Sequence, residues 1–221
     1  MLGALRFSLI HSLFILMDHA TLAGKDAQKT AADALRANGI EPIIVEKGSD
    51  ALAKIKELIP GGASVMTGSS QTLEVIGLLD HLKEGKHGWN NLKDAILAEK
   101  DPAQQAALRK SSVLSDYYLG SVHALSETGE LVIASASGSQ LPHIVFTSPN
   151  IIFVVGAQKI VPTLADALRR VEEYVFPLED ARMKETGAPG SVLAKILIFK
   201  KEPAFMGRKV RLVIVNEPLG F

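Results

Sequence analysis

The sequence predicts an α/β fold built on a mixed, mostly parallel sheet that carries an antiparallel hairpin. Three observations support it. Short β-branched runs alternate with amphipathic helical stretches through the first half. The wholly apolar run at 151–155 reads as a strand buried on both faces. A glycine-bearing turn at 127–129 joins two further apolar segments.

Each element follows from its residues. Residues 21–38 are rich in Ala, Leu, Lys and Gln, and Leu22, Ala32 and Leu35 are apolar. Asn38-Gly39 closes this stretch as a helix C-terminal signal. Pro42-Ile43-Ile44-Val45 is a short strand, and residues 49–59 place Leu52, Ile55 and Ile59 on one helical face before Pro60-Gly61-Gly62 stops the helix. Ala63-Ser64-Val65-Met66 gives a second strand, followed by a Gly/Ser loop and a helix carrying Leu73 and Ile76. The polar stretch 79–118 reads as helices over the sheet, at 91–100 and 102–110, separated by Asp101-Pro102. Residues 121–125 and 131–133 form the hairpin, which adds an antiparallel element to the sheet. Thr163 and Asp166 have the spacing of a capping box, opening a helix whose buried stripe is Leu164, Leu168, Val171 and Val175. Asp166 can pair with Arg170 on the outer face of that helix. After Pro177, strands at 196–199 and 210–215 finish the chain.

Composition bounds the function. The chain has 221 residues, 24 Lys+Arg against 24 Asp+Glu, 47% hydrophobic residues and no cysteine. Zero net charge, three Tyr and one Trp leave neither the basic footprint nor the stacking surface of a nucleic-acid protein. Lack of cysteine excludes disulfides, thiol nucleophiles and an iron-sulfur cluster on this sequence. No cofactor and no metal site is expected, since His81 and His87 have no recognised zinc spacing and read as surface groups. Residues 7–17 are mostly apolar but too short to span a bilayer, and no small-residue cleavage site follows. Residues 1–20 are therefore read as an apolar arm or a misassigned start with Met17 as the true initiator, and 21–221 as one domain located in the cytoplasm. A neutral chain with apolar strands places no charge-based obstacle against a homo-oligomer.

Four places can carry chemistry. Gly68, Ser69, Ser70 and Thr72 lie between strand and helix, where hydroxyls and backbone N–H groups either cap the helix or bind a phosphate or carboxylate. Glu127, Thr128, Gly129 and Glu130 form a turn that is either a solvated hairpin tip or, if desolvated, a source of a general base or nucleophile. Gly138 and Ser139 sit in a small-residue loop leading to His143, the histidine best placed to face a cleft or else to pack structurally. Lys159 follows the buried strand, at the carboxyl end where open α/β sheets bind ligands. It is a candidate contact for a small anion, or ordinary solubilising charge.

Three segments in this order resemble the LUD (lactate-utilization) domain family, in its short, single-domain, cysteine-free form of the lactate utilization protein C type. They are Met66-Thr67-Gly68-Ser69-Ser70-Gln71-Thr72, then Ala124-Leu125-Ser126-Glu127-Thr128-Gly129-Glu130, and then Leu141-Pro142-His143-Ile144 leading to Val154-Val155-Gly156-Ala157-Gln158-Lys159. The resemblance implies a three-layer α/β/α sandwich like that of ribose-5-phosphate isomerase, glucosamine-6-phosphate deaminase and CoA transferases. It also implies a role in oxidising lactate to pyruvate, as the non-cluster accessory or ligand-binding subunit beside an iron-sulfur-containing oxidoreductase subunit. On the same scaffold the alternative is a free-standing sugar-phosphate isomerase or CoA-transferase-like enzyme using Glu127 or Glu130.

Overall fold

A computed structural model of the chain describes residues 19–221. The expectations for residues 1–18, including the apolar run 7–17 and the Met17 start, lie outside the described residues.

Six strands form the main sheet: β1 (Glu41–Val45), β2 (Ser64–Thr67), β3 (Asn90–Asn91), β4 (Tyr117–Gly120), β7 (Asn150–Gly156) and β10 (Lys209–Val215). Their order is β1-β10-β7-β4-β2-β3, and every neighbouring pair runs parallel. The second sheet is formed by β5 (Ala124–Ser126), β6 (Leu131–Ser135), β8 (Ile160–Val161) and β9 (Lys195–Phe199), in the order β8-β5-β6-β9. Eight helices accompany them among the described residues: α1 (Lys25–Ala37), α2 (Gly48–Leu58), α3 (Gln71–Val75), α4 (Leu78–Lys83), α5 (Leu92–Ala98), α6 (Pro102–Ser111), α7 (Leu164–Arg170) and α8 (Phe176–Glu185).

The central strand shows why the sheet is covered on both faces. Successive side chains of a strand point to opposite sides, and in β7 both sides are apolar. Ile152 and Val154 pack with Ala51 and Ile55 of α2, Leu73 of α3 and Leu78 of α4. Ile151, Phe153 and Val155 pack with Ala31 and Leu35 of α1 and with Leu125, Leu131 and Ile133 of the small sheet. The far face of the small sheet, through Ala124 and Val132, is closed by Ala167 and Val171. The architecture is the expected α/β/α sandwich, with the small sheet set into one outer layer.

Several local expectations change on folding. The hairpin forms, with Leu125 opposite Leu131, but in the small sheet; the six-stranded sheet is entirely parallel. Residues 117–120 are not helical but supply β4, between β2 and β7. A four-residue strand ending a polar stretch has too few alternations to stand out from its sequence. The segment 121–123, read as strand, is instead the crossing from β4 in one sheet to β5 in the other. Pro177 stands near the start of α8, directly after the π-helical turn Val171–Val175 that joins α7 to α8. Thr163 does cap α7, its hydroxyl accepting from the Asp166 N–H. Asp166 pairs with Arg169, whereas Arg170 is fully buried. His81 and His87 are not simple surface groups, since both rings pack against Trp89 at 5.5 and 5.1 Å between centroids.

Candidate functional site

Both sheets hand the chain to each other at one place. β4 crosses to β5 through Ser121, Val122 and His123, and β7 crosses to β8 through a single turn of 3-10 helix, Ala157–Lys159. Both crossings leave the carboxyl ends of parallel strands, where the strand ends of an open α/β sheet leave room for a ligand. A cleft of about 730 Å³ opens there, walled by the loop 67–72, by β6 and the loop after it, and by residues of α5, α6 and α8.

Lys159 forms the floor. Its side chain is buried, and Nζ donates to Thr72 Oγ1 at 3.0 Å, to Ser121 Oγ at 3.4 Å and to the Val122 carbonyl at 3.4 Å. One ammonium thus ties α3 to the first crossing. Thr72 is committed in turn, donating to the Leu219 carbonyl at 3.1 Å. Burial, with the positive charge of Arg170 as a smaller cause, pulls Lys159 down from 10.5 to about 7. No carboxylate is paired with Lys159 among the described residues.

Arg170 lies behind this floor. Nη1 donates to the His123 carbonyl at 2.6 Å and Nη2 to the His19 carbonyl at 3.3 Å, with the guanidinium 5.1 Å from the centre of the Tyr174 ring. Burial lowers it to about 10, which leaves it charged at neutral pH. His123 accepts the Ala134 N–H on Nδ1, so its proton belongs on Nε2. Burial first, and then Lys159 and Arg170, depress it to about 3. Thr67 adds a buried hydroxyl that lines the cleft and has no hydrogen-bond partner among the described residues.

The expected residues divide into two groups. Gly68, Ser69, Ser70, Thr72, Ser139, His143 and Lys159 all line the cleft. Within that group, Ser70 acts as the helix cap, accepting from the Leu73 N–H at 3.3 Å. Gly68 is required by packing rather than by backbone twist, since a Cβ there would stand 2.6 Å from the Tyr118 hydroxyl. His143 is buried, stacked on Tyr118 at 4.8 Å, with the Ser148 and Ser115 hydroxyls 3.0 and 3.2 Å from Nδ1. Desolvation lowers it to about 4, so it is neutral near pH 7.

Glu127, Thr128, Gly129 and Glu130 are not among the cleft residues. β5 begins at the cleft and its three residues carry the chain roughly 10 Å away before it turns. The hairpin tip instead meets the end of α1, where Asn38 Nδ2 donates to the Thr128 carbonyl. Gly129 has φ +90°, and a Cβ there would lie 2.7 Å from Asn38 Nδ2, so the turn needs glycine. Burial pushes the Glu130 carboxyl up, but hydrogen bonds from the Ser126 and Thr128 hydroxyls outweigh this and hold it below its usual value. Gly138 lies against the Lys195 side chain, and only its neighbours Ser137 and Ser139 reach the cleft.

Other walls come from two π-helical turns, His143–Thr147 and Val171–Val175, which contribute Ile144, Val171 and Val175 beside the expected His143. Such turns recur at functional sites. Lys93, Arg109 and Arg182 bring further positive charge against Glu74 and Glu179. Among the described residues no group of three or more His, Cys, Asp or Glu side chains is placed to hold a metal, and no helix is long and apolar enough to cross a membrane.

Fold and site together define an α/β protein with an open, cation-lined cleft at the carboxyl edge of a parallel sheet. Residues 28–189 match the LUD domain, and the chain belongs to that family. It is accordingly a lactate-utilization-related protein. Among solved structures it is similar to a DUF162 family protein from Deinococcus radiodurans, at 13% identity over 88% of this chain and 98% of that one, with a TM-score of 0.49. No curated protein matches the chain.

Proposed function

We propose that this protein is a cytoplasmic ligand-binding subunit of lactate oxidation, holding a small carboxylate such as lactate or pyruvate on the Lys159 floor. The observation that carries this reading is a buried ammonium with only neutral partners among the described residues, two of them at a long 3.4 Å that a carboxylate can displace, in an open cleft with a second buried cation behind it. Two buried cationic groups with no carboxylate paired to them among the described residues leave an electrostatic deficit that an anion can relieve. The unpartnered Thr67 hydroxyl offers a further hydrogen bond to such an anion.

The redox step would belong to a partner. A sequence without cysteine offers no thiolates to bind an iron-sulfur cluster, so the electrons of a two-electron oxidation of lactate would pass to a cluster-bearing oxidoreductase subunit. In this scheme the chain binds and orients the acid. No specific observation favours the rival glutamate catalyst, because the turn with Glu127 and Glu130 faces α1.

Calorimetric titration with pyruvate and lactate, followed by mixing with a cluster-bearing lactate-oxidising subunit, tests this reading. Binding of either acid at pH 6.5 and a raised rate of lactate oxidation in the mixture are expected. Absence of both effects refutes it.

A further inference from the structure

We propose that Lys93 and Arg109 form a second anion site on the cleft wall, which takes the phosphoryl group of a ligand larger than lactate. The inference rests on the proposed reading for the acid end of that ligand, held at Lys159, but the outer site stands or falls on different residues.

Size is the first argument. The cleft is about 730 Å³, within the range of pockets that enclose drug-sized molecules. Lactate has six non-hydrogen atoms and would fill only a small part of it.

Charge distribution is the second argument. On the α8 wall, Arg182 is already neutralised by a two-pronged contact with Glu179, at 2.8 and 2.7 Å. Lys93 of α5 and Arg109 of α6 also line the cleft, and burial first, with the positive charge of Arg109 as a smaller cause, lowers the half-buried Lys93 ammonium. Neither forms an ion pair among the described residues. Arg109 is solvated at the rim of the cleft, so the repulsion falls mainly on the half-buried Lys93, and a bound anion relieves it.

The helices that carry both cations are tied together, and the Arg109 side chain is held. Gln105 donates to the Ile96 and Glu99 carbonyls at 3.0 and 3.3 Å, locking α6 to the end of α5, and accepts from Arg109 Nη2 at 3.0 Å. A guanidinium supplies a planar fork of donors and an ammonium a compact charge, a combination suited to phosphoryl oxygens. Val175, Phe176 and Val192 give the cleft an apolar stretch that can cover the body of the ligand.

Titration of the full chain with pyrophosphate, with pyruvate, and with pyrophosphate in saturating pyruvate tests the proposal. Pyrophosphate should bind with and without pyruvate. Lys93→Ala together with Arg109→Ala should weaken pyrophosphate roughly tenfold or more while leaving pyruvate within about twofold. Lys159→Met should do the reverse. Failure of pyrophosphate to bind, binding indifferent to the double substitution, or mutual exclusion with pyruvate overturns the outer site. If pyrophosphate binds through Lys93 and Arg109 while pyruvate does not bind, the acid floor is rejected and the phosphoryl site is supported.

Discussion

Lys159→Met is expected to remove pyruvate binding and yet leave the protein about as stable as the parent. Methionine fills nearly the same volume as the buried lysine stem, so no large cavity opens. What disappears is the charge. Loss of one member of a buried charge-assisted contact costs on the order of 3 kcal/mol of binding, roughly a hundredfold in affinity. The folded protein loses an ammonium whose partners are all neutral and which stands near another cation. Removing an uncompensated buried charge is favourable, which offsets the cost of leaving Thr72 Oγ1, Ser121 Oγ and the Val122 carbonyl without their donor. Stability against pH provides a second readout. Lys159 sits at about 7 when folded against 10.5 ordinarily, so between those values the unfolded chain binds more protons than the folded one. Wild-type stability therefore rises with pH across that window, and the methionine variant lacks this contribution. Denaturant titrations at pH 7 and pH 9.5 measure both quantities.

Arg170→Ala has the largest expected effect on folding. Arg170 is completely buried, and its guanidinium bonds the His123 and His19 carbonyls and covers the Tyr174 ring. Truncation leaves a cavity of nearly a whole side chain and deprives the His123 carbonyl of a short, charge-assisted bond. A loss of about 3–5 kcal/mol follows, lowering Tm by roughly 10 °C for a chain of this size. Arg170→Met restores most of the volume and should recover part of the loss. It should also raise the pKa of Lys159, since Arg170 is one of the causes of its depression. Thermal unfolding of both variants decides the matter; an alanine variant as stable as wild type would show that the guanidinium carries little of the packing between α7 and the crossing at His123.

How much of this was legible in the sequence depends on how local the determining contacts are. β1, β2, β7 and β10 are visible as β-branched runs, and the Thr163 cap as a three-residue spacing, because each is decided within its own segment. Lys159 was legible as a candidate contact from its place after the central strand, and it lines the cleft. Its partners were not, since Thr72 is 87 residues distant and Ser121 is 38. The second sheet was hidden for the same reason: β5 looks like any hairpin strand until β8 pairs with its other edge. Arg170 was misread because a charged residue four positions after Asp166 resembles an exposed ion pair. Only the packing of α7 against the small sheet turns it inward. The turn with Glu127 and Glu130 is open in the sequence between a solvated tip and a catalytic site, and only the direction of β5 shows that it leads away from the cleft.

The central claim is that the protonated form of Lys159 holds a carboxylate. Calorimetric titration of wild-type protein with pyruvate at pH 6, 7.5 and 9 tests it most directly, because pyruvate remains ionised throughout while a group at about 7 loses its proton. The account predicts tightest binding at pH 6, affinity falling by up to roughly tenfold per unit above pH 7, and proton uptake on binding. Pyruvate affinity that is unchanged from pH 6 to pH 9, with no proton exchanged, would contradict it.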